Sequence, residues 1–491
     1  MTTFNLAALN PLFSKSTAQN AYAVFLPAVQ PFYVETASGQ KTSHRNAGLP
    51  AALSNGYASL NFLNPESGLF YYKWALYSAG MAQLDLEKAK ARQGMIIDRD
   101  KEVSFLFADS GGYQVASKTI NVDVKNEAKL DEFRAKSLAW MNECASVIMP
   151  LDFPQSKRRL SGERLSFDEA LDKTEASLKF IAREHTRRPN DIIANVVQGA
   201  TMAEQEIWLQ RLKGYSTDAW ALPWRLHDSV QSMLQLLVSM DGMGLFKTCR
   251  YLHFFGVSRL HFAGALTLIM RAMRQKYPEL VITYDSAAPL TIAATCGQAY
   301  TTWHVEKFKG KRAPERRDEG EKDIGTFTFS HTPVSADIAF RGSDDRFPAL
   351  TSPLGLQLTV GDLCIREQPT DNGSAWDELS TSLVAAHNVY VHILALTQLN
   401  ALMDQELKNG PKMALSHVFA DFKNIVDRVF SPDTSSTKAM NALYSGKDVL
   451  QFFDRKNEVK LFDIKQGELP DWSSTDLEEF PEFTELPLMH E

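Results

Sequence analysis

Between residues 103 and 286 the chain alternates short apolar runs with amphipathic stretches. The apolar runs, at 103–108, 146–150, 192–197, 219–223, 251–257 and 280–284, have the length of buried strands. Stretches 127–144, 167–184, 203–212, 230–240 and 263–277 carry apolar residues at helical spacing; in the first, Leu130, Phe133, Leu138 and Met141 share one face. Six strand-then-helix repeats predict parallel strands joined by right-handed crossovers. The expected fold is therefore α/β, a (β/α)8 TIM-like barrel of about eight strands, whose strand ends converge on one face. A doubly wound open sheet is the competing architecture, and the Gly-x-Gly-x-x-Gly fingerprint that often accompanies it is missing.

Outside this region the pattern is weaker. Residues 22–34 predict one or two strands interrupted by Pro27 and Pro31, 55–80 loops with short elements, and 81–93 a helix. After residue 299 the alternation stops: 304–323 reads as a charged loop, and helical spacing returns at 382–402, 418–430 and 437–453. The expected organisation is a barrel core over 1–345, irregular in its first 100 residues, a mainly helical region over 346–467, and an acidic tail over 468–491.

Composition narrows the class. No apolar run approaches the roughly 18 residues of a membrane span, and the N-terminus lacks a leader pattern, so a cytoplasmic protein with no membrane partner is expected. Cys144, Cys249, Cys296 and Cys364 stand far apart, as free thiols of a reducing compartment do. A net charge of −7 argues weakly against nucleic acid, but basic residues cluster at Lys157, Arg158 and Arg159, at 183–188, and at 307–317, which contains Lys309, Lys311 and Arg312. Local clusters of this kind can hold a phosphate backbone.

The chemistry sits at the strand ends. The run 105–114 passes from apolar residues into Asp109-Ser110-Gly111-Gly112-Tyr113-Gln114. This is a carboxylate followed by glycines that let a flat ligand approach the main chain, or equally an Asx turn. What points to a site is recurrence: Asp152, Gln198, Gly199, Gly256 and Asp285 also fall at strand ends. Three carboxylates in one pocket cannot all ionise freely, and such divergence lets one site supply a nucleophile and an acid/base. His227, His253, His261 and His304 have no ligand spacing and read as structural.

The Asp109–Gln114 run resembles the DSGGFQ signature of the guanine transglycosylases, which replace a guanine base in nucleic acid. In the same order follow Asp152 near Pro150, Val197-Gln198-Gly199, Phe255-Gly256-Val257 and Tyr284-Asp285-Ser286-Ala287, so the resemblance covers about 100–410. It implies a catalytic pair, with Asp285 the nucleophile and Asp109 the acid/base. It further implies a base pocket of Ser110, Tyr113, Asp152, Gln198, Gly199 and Leu222, and a backbone clamp of Lys157, Arg158, Arg159, Lys309, Lys311 and Arg312.

The family's zinc motif is matched only by Cys364 and His387, with Thr359 and Gly361 where cysteines would stand. No metal and no other cofactor is therefore expected. That departure, with the likeness to the DNA-acting DpdA-type branch of phages and bacterial DNA-modification clusters, favours DNA over tRNA as partner. The co-substrate would be a free 7-deazaguanine base such as preQ0, and the setting the host cytoplasm if the protein is phage-encoded. A homodimer is compatible with the resemblance. The alternatives are a diverged tRNA-guanine transglycosylase and a non-catalytic nucleic-acid-binding subunit.

Overall fold

The computed structural model describes residues 21–40, 49–154, 165–185, 192–215, 218–223, 229–302, 330–333, 352–355, 357–358, 362–363 and 376–453, less positions 83, 259, 297, 411–413 and 452. Eight parallel strands form a nearly closed barrel. They are β1 Val24–Pro27, β2 Trp74–Ser78, β3 Phe105–Asp109, β4 Val147–Ile148, β5 Ile192–Val196, β6 Ala219–Pro223, β7 Tyr251–Phe255 and β8 Val281–Ser286. β2 to β8 pair in sequence order, β8 pairs with β1, and a bridge between Ala28 and Leu76 joins β1 to β2. The TIM-like barrel that the alternation predicts is thus formed, with helices between the strands and a helical C-terminal region.

The first two strands come from the stretch that the sequence left least legible. β1 ends at Pro27, and Pro31 opens the helix Pro31–Ala37 rather than interrupting a strand. Proline suits the first turn of a helix because the amide it lacks would have no partner there. β2 is a short element within 55–80, a segment expected to hold loops with short elements and no named strand. Its five residues are all buried, so it has no polar alternation to reveal it. The expected helix over 81–93 is two shorter ones, Leu86–Arg92 and Gly94–Ile97.

Register sorts the strand residues into an inner and an outer face. Trp74, Leu76 and Ser78 pair with Phe105, Phe107 and Asp109, while Tyr251 and His253 pair with Val281 and Thr283. The rings of Phe105 and Phe107 pack on Tyr251, and Phe107 also packs on His253, across the barrel from strands that are not neighbours. These residues therefore fill the interior in layers, as side chains fill barrels of this size.

The C-terminal helices pack mainly on helices that surround the barrel, and His392 of helix Glu378–Asn409 reaches Phe25 of β1, 4.4 Å between ring centroids. Helix Glu378–Asn409 is long and apolar enough to cross a bilayer by length and mean hydropathy, yet it is almost wholly enclosed by protein. Asp404 on this helix takes a two-pronged contact from Arg271, at 2.6 and 3.1 Å, and a hydrogen bond from the Tyr22 hydroxyl at 2.7 Å. Helix Leu260–Met273 meets helix Ala414–Val429 at Gly264, where an added Cβ would lie 2.7 Å from Phe419 Cζ. Gly264→Val is expected to destabilise the fold by about 1–3 kcal/mol through overpacking, read as a lower urea midpoint with unchanged slope.

Candidate active site

Three carboxylates gather at the C-terminal end of the barrel. Asp109 is the last residue of β3 and Asp285 lies inside β8, one residue from its end. Asp152 follows β4 in a wholly buried stretch that continues the strand, Met149 N–H donating to the Ala108 carbonyl. The predicted boundary at 284 falls short because β8 pairs on through Asp285 and Ser286 with Leu26 and Pro27 of β1.

The Asp-Ser-Gly-Gly sequence makes the Asx turn its composition predicts. The amides of Gly111 and Ser110 and the hydroxyl of Ser78 on the neighbouring strand lie close enough to the Asp109 carboxylate to favour its ionised form, while the Ser78 hydroxyl donates to Gln114 Oε1 at 3.3 Å. Gly111 holds φ +95° and lies against Gly80, where a Cβ would meet backbone at 3.0 Å. Gly112 then opens the short helix Gly112–Ala116 pressed on the Asp152 main chain; a Cβ there would stand 2.3 Å from the Asp152 carbonyl oxygen. Only glycine permits this approach. Tyr113, on the next position, is 42% exposed, and Ser110 is buried with no hydrogen-bond partner for its hydroxyl among the described residues.

Burial raises the Asp109 carboxyl above the ordinary carboxylate range; the turn amides and Ser78 oppose the rise, and the nearby Asp285 charge adds to it. Burial likewise lifts Asp152 from 3.8 to about 7, with the charge of Asp109 as the second cause. Gln198 opposes that shift, its Nε2 donating to Asp152 Oδ2 at 2.6 Å. Asp109 thus couples electrostatically to a carboxylate on each side. Gly199, at φ +129°, sits against the start of helix Met202–Leu212, its carbonyl accepting Gln205 Nε2 at 3.0 Å.

Asp285 is held by one oxygen. Oδ1 accepts the Gly256 amide at 3.0 Å, and His253 Nε2 stands 3.3 Å from the same atom, off the line of a hydrogen bond as placed. Among the described residues none donates to Oδ2. A carboxylate pinned at one oxygen and open at the other has the form of an oriented nucleophile.

The remaining expected residues fall as follows. Leu222 is fully buried, but it pairs with Phe254, on the face opposite His253. Its side chain therefore lies towards the helices, and Ala221, paired with His253, is the β6 side chain that faces the interior. Lys157, Arg158, Arg159, Lys309, Lys311 and Arg312 lie outside the described residues, as do Cys364, Thr359, Gly361 and the tail 468–491.

His387 is buried with both ring nitrogens engaged: Nδ1 with Ser352 Oγ at 2.7 Å and Nε2 with the Tyr300 carbonyl. A carbonyl can only accept, so Nε2 carries the proton and Nδ1 accepts from the serine. Burial holds this imidazole down at about 4, hence neutral, and the ring as placed has no lone pair left for a metal. Asn388 beside it clamps the barrel, donating to the Pro289 carbonyl and accepting the Tyr300 amide. No group of three or more metal-ligating side chains occurs among the described residues.

Two site residues were not legible in the sequence. Ser78 sits on the unpredicted strand β2, and His253, read as structural, adjoins Asp285 from one layer deeper in the barrel. No protein-family model matches the chain, and no curated protein matches it.

Proposed function

We propose that this chain is a guanine transglycosylase that exchanges guanine in DNA for a 7-deazaguanine base through a covalent glycosyl–Asp285 intermediate. The observation that carries the reading is the convergence of Asp109, Asp152–Gln198 and Asp285 at one barrel mouth, each in a different electrostatic setting. Asp285 Oδ2 attacks C1′ of a flipped nucleotide; the C1′–N9 bond breaks and its electron pair leaves on the base. Asp109, which burial keeps ready to hold a proton, protonates the departing base and later deprotonates the incoming one. Attack of that base on C1′ from the opposite side returns the carboxylate, and two displacements retain configuration. Carboxylates supply both roles, so the reading invokes no cofactor.

Guanine and 7-deazaguanines share the edge that the pocket is suited to read. Their N1–H and exocyclic amine are donors that match the Asp152 carboxylate, which Gln198 holds, and their carbonyl oxygen matches a main-chain donor such as the Gly199 amide. Tyr113, exposed and next to Gly112 in the chain, would stack on the base. The clusters Lys157–Arg159 and Lys309–Arg312 would hold the phosphate backbone.

The direct test offers the purified protein duplex DNA or bulk tRNA with preQ0, followed by mass analysis of the digested nucleosides. A deazaguanine nucleoside in the DNA digest alone is expected. Its appearance in tRNA alone would transfer the reading to the RNA-acting branch, and no exchange in either would defeat it. Gly112→Ala is expected to cut exchange by about 100-fold, because its methyl group displaces Asp152 by a fraction of an ångström to an ångström. A variant of full activity would show that the contact between Gly112 and Asp152 is not needed.

A further inference from the structure

We propose that His253 is a positioning residue for Asp285, one that favours departure of its carboxylate when the covalent intermediate breaks down; the inference rests on the proposed role of Asp285 as nucleophile. His253 is completely buried in the interior of the barrel, among apolar neighbours. Its ring packs 5.4 Å from Phe107 and 4.7 Å from Phe255 between centroids. Nδ1 lies 2.9 Å from Thr283 Oγ1, two residues before Asp285 on the same strand. Nε2 lies 3.3 Å from Asp285 Oδ1. A buried imidazole needs a partner at each nitrogen; here one of them is the carboxylate of Asp285, which ties the ring to the site.

The two contacts select one tautomer. An unprotonated Nε2 would direct its lone pair at a carboxylate oxygen, which is repulsive. With the proton on Nε2, Nδ1 accepts from the Thr283 hydroxyl and Nε2–H faces Asp285 Oδ1. A small rotation brings that N–H into line. Oδ1 then has two donors, His253 Nε2–H and the Gly256 amide, and Oδ2 is left as the attacking atom. The arrangement also sets where charge is stabilised. When Oδ2 bonds to C1′, Asp285 becomes a neutral ester and Oδ1 its carbonyl oxygen. When the incoming base attacks C1′, the C1′–Oδ2 electron pair returns to the carboxylate, and the two donors receive the restored charge. Preorganised donors at a developing charge accelerate the step that creates it. His253 should therefore speed breakdown of the intermediate and hold back its formation, by making the free carboxylate a weaker nucleophile.

The test measures both steps in the full-length chain, with guanine-containing duplex DNA and radiolabelled guanine. Acid-quenched single turnovers give the rate of adduct formation, and the adduct fraction at steady state gives the partition. His253→Phe, which keeps a ring of similar shape between Phe107 and Phe255, is expected to slow steady-state exchange by about 10- to 100-fold. It should leave adduct formation as fast or faster, so the trapped adduct accumulates. His253→Gln, which can still donate, should restore the wild-type partition. Thr283→Val should shift it in the direction of His253→Phe by a smaller factor, and provides a second reading if the Phe variant misfolds. Equal slowing of both steps, or an unchanged partition in His253→Phe and Thr283→Val alike, overturns the role of His253 alone. Absence of any wild-type adduct, with exchange surviving Asp285→Asn, overturns the nucleophile assignment and this inference together.

Discussion

Asp285→Asn should abolish base exchange, with a loss on the order of 10^4- to 10^6-fold, while leaving the fold intact. The size follows from the role: without a carboxylate there is no glycosyl ester, and a neutral amide oxygen is a poor nucleophile. Stability should change little, because the amide oxygen of Asn can still accept the Gly256 amide that now meets Oδ1 at 3.0 Å. The variant should also give no adduct on a denaturing gel after acid quench. Asp109→Asn should behave differently. It removes the proton carrier and not the nucleophile, so exchange should fall by about 100- to 10,000-fold and be partly recovered with a nucleoside whose base departs without protonation. The Asp285 charge helps to hold the Asp109 proton, so Asp285→Asn should also lower the Asp109 pKa. If exchange and adduct both persist in Asp285→Asn, the proposed mechanism is wrong.

That the sequence exposes these carboxylates and hides their neighbours has a physical cause. The acids terminate apolar runs, and a charged residue at the end of a buried strand is visible in one dimension. Each βα unit from 103 to 286 announces itself locally, by a strand-length apolar run and a helix of period 3.6. β2 does not, because Trp74-Ala75-Leu76-Tyr77-Ser78 is buried on both faces and is set among Asn, Gly and Ser residues that read as loop. With β2 missed, Ser78 could not be placed beside Asp109. His253 and Asp285 are 32 positions apart and meet only through the pairing of β7 with β8, which no local pattern encodes. The resemblance sets the pair Ala221-Leu222 against the pocket and leaves open, for the same reason in reverse, which of the two faces it. Within an all-apolar strand, inside and outside differ by one residue of register, and only the pairing of Ala221 with His253 decides between them.

Asp152 should make the protein less stable where it makes it active. Its folded pKa of about 7, against 3.8 for an exposed aspartate, means that the folded state holds the proton more tightly than the unfolded chain does. The stabilisation from this group is therefore fully present below about pH 4, declines as the pH rises, and is gone above about 7, where an ionised carboxylate is buried. Each pH unit in that window is worth about 1.4 kcal/mol, so the difference across it is on the order of 4 kcal/mol. Asp152→Asn removes the ionisation while keeping an oxygen for Gln198 Nε2. Relative to wild type it should be more stable at pH 8 by a few kcal/mol in urea titration, with the advantage vanishing near pH 4. The same substitution should cost exchange about 100- to 10,000-fold in kcat/KM, because an amide offers one acceptor where N1–H and the exocyclic amine of the base need two. For wild type, kcat/KM should rise with pH through about 7 as Asp152 ionises in the free enzyme, and the limb should disappear in Asp152→Asn. The limb belongs to a coupled pair, since the charge of Asp109 is the second cause of the raised value. Asp109→Asn should accordingly move the midpoint of base binding, measured by titration of preQ0 into the apoprotein, to lower pH. A flat pH profile together with no stabilisation of Asp152→Asn at pH 8 would remove Asp152 from the role of base reader, and would leave its burial against Gly112 a matter of packing alone.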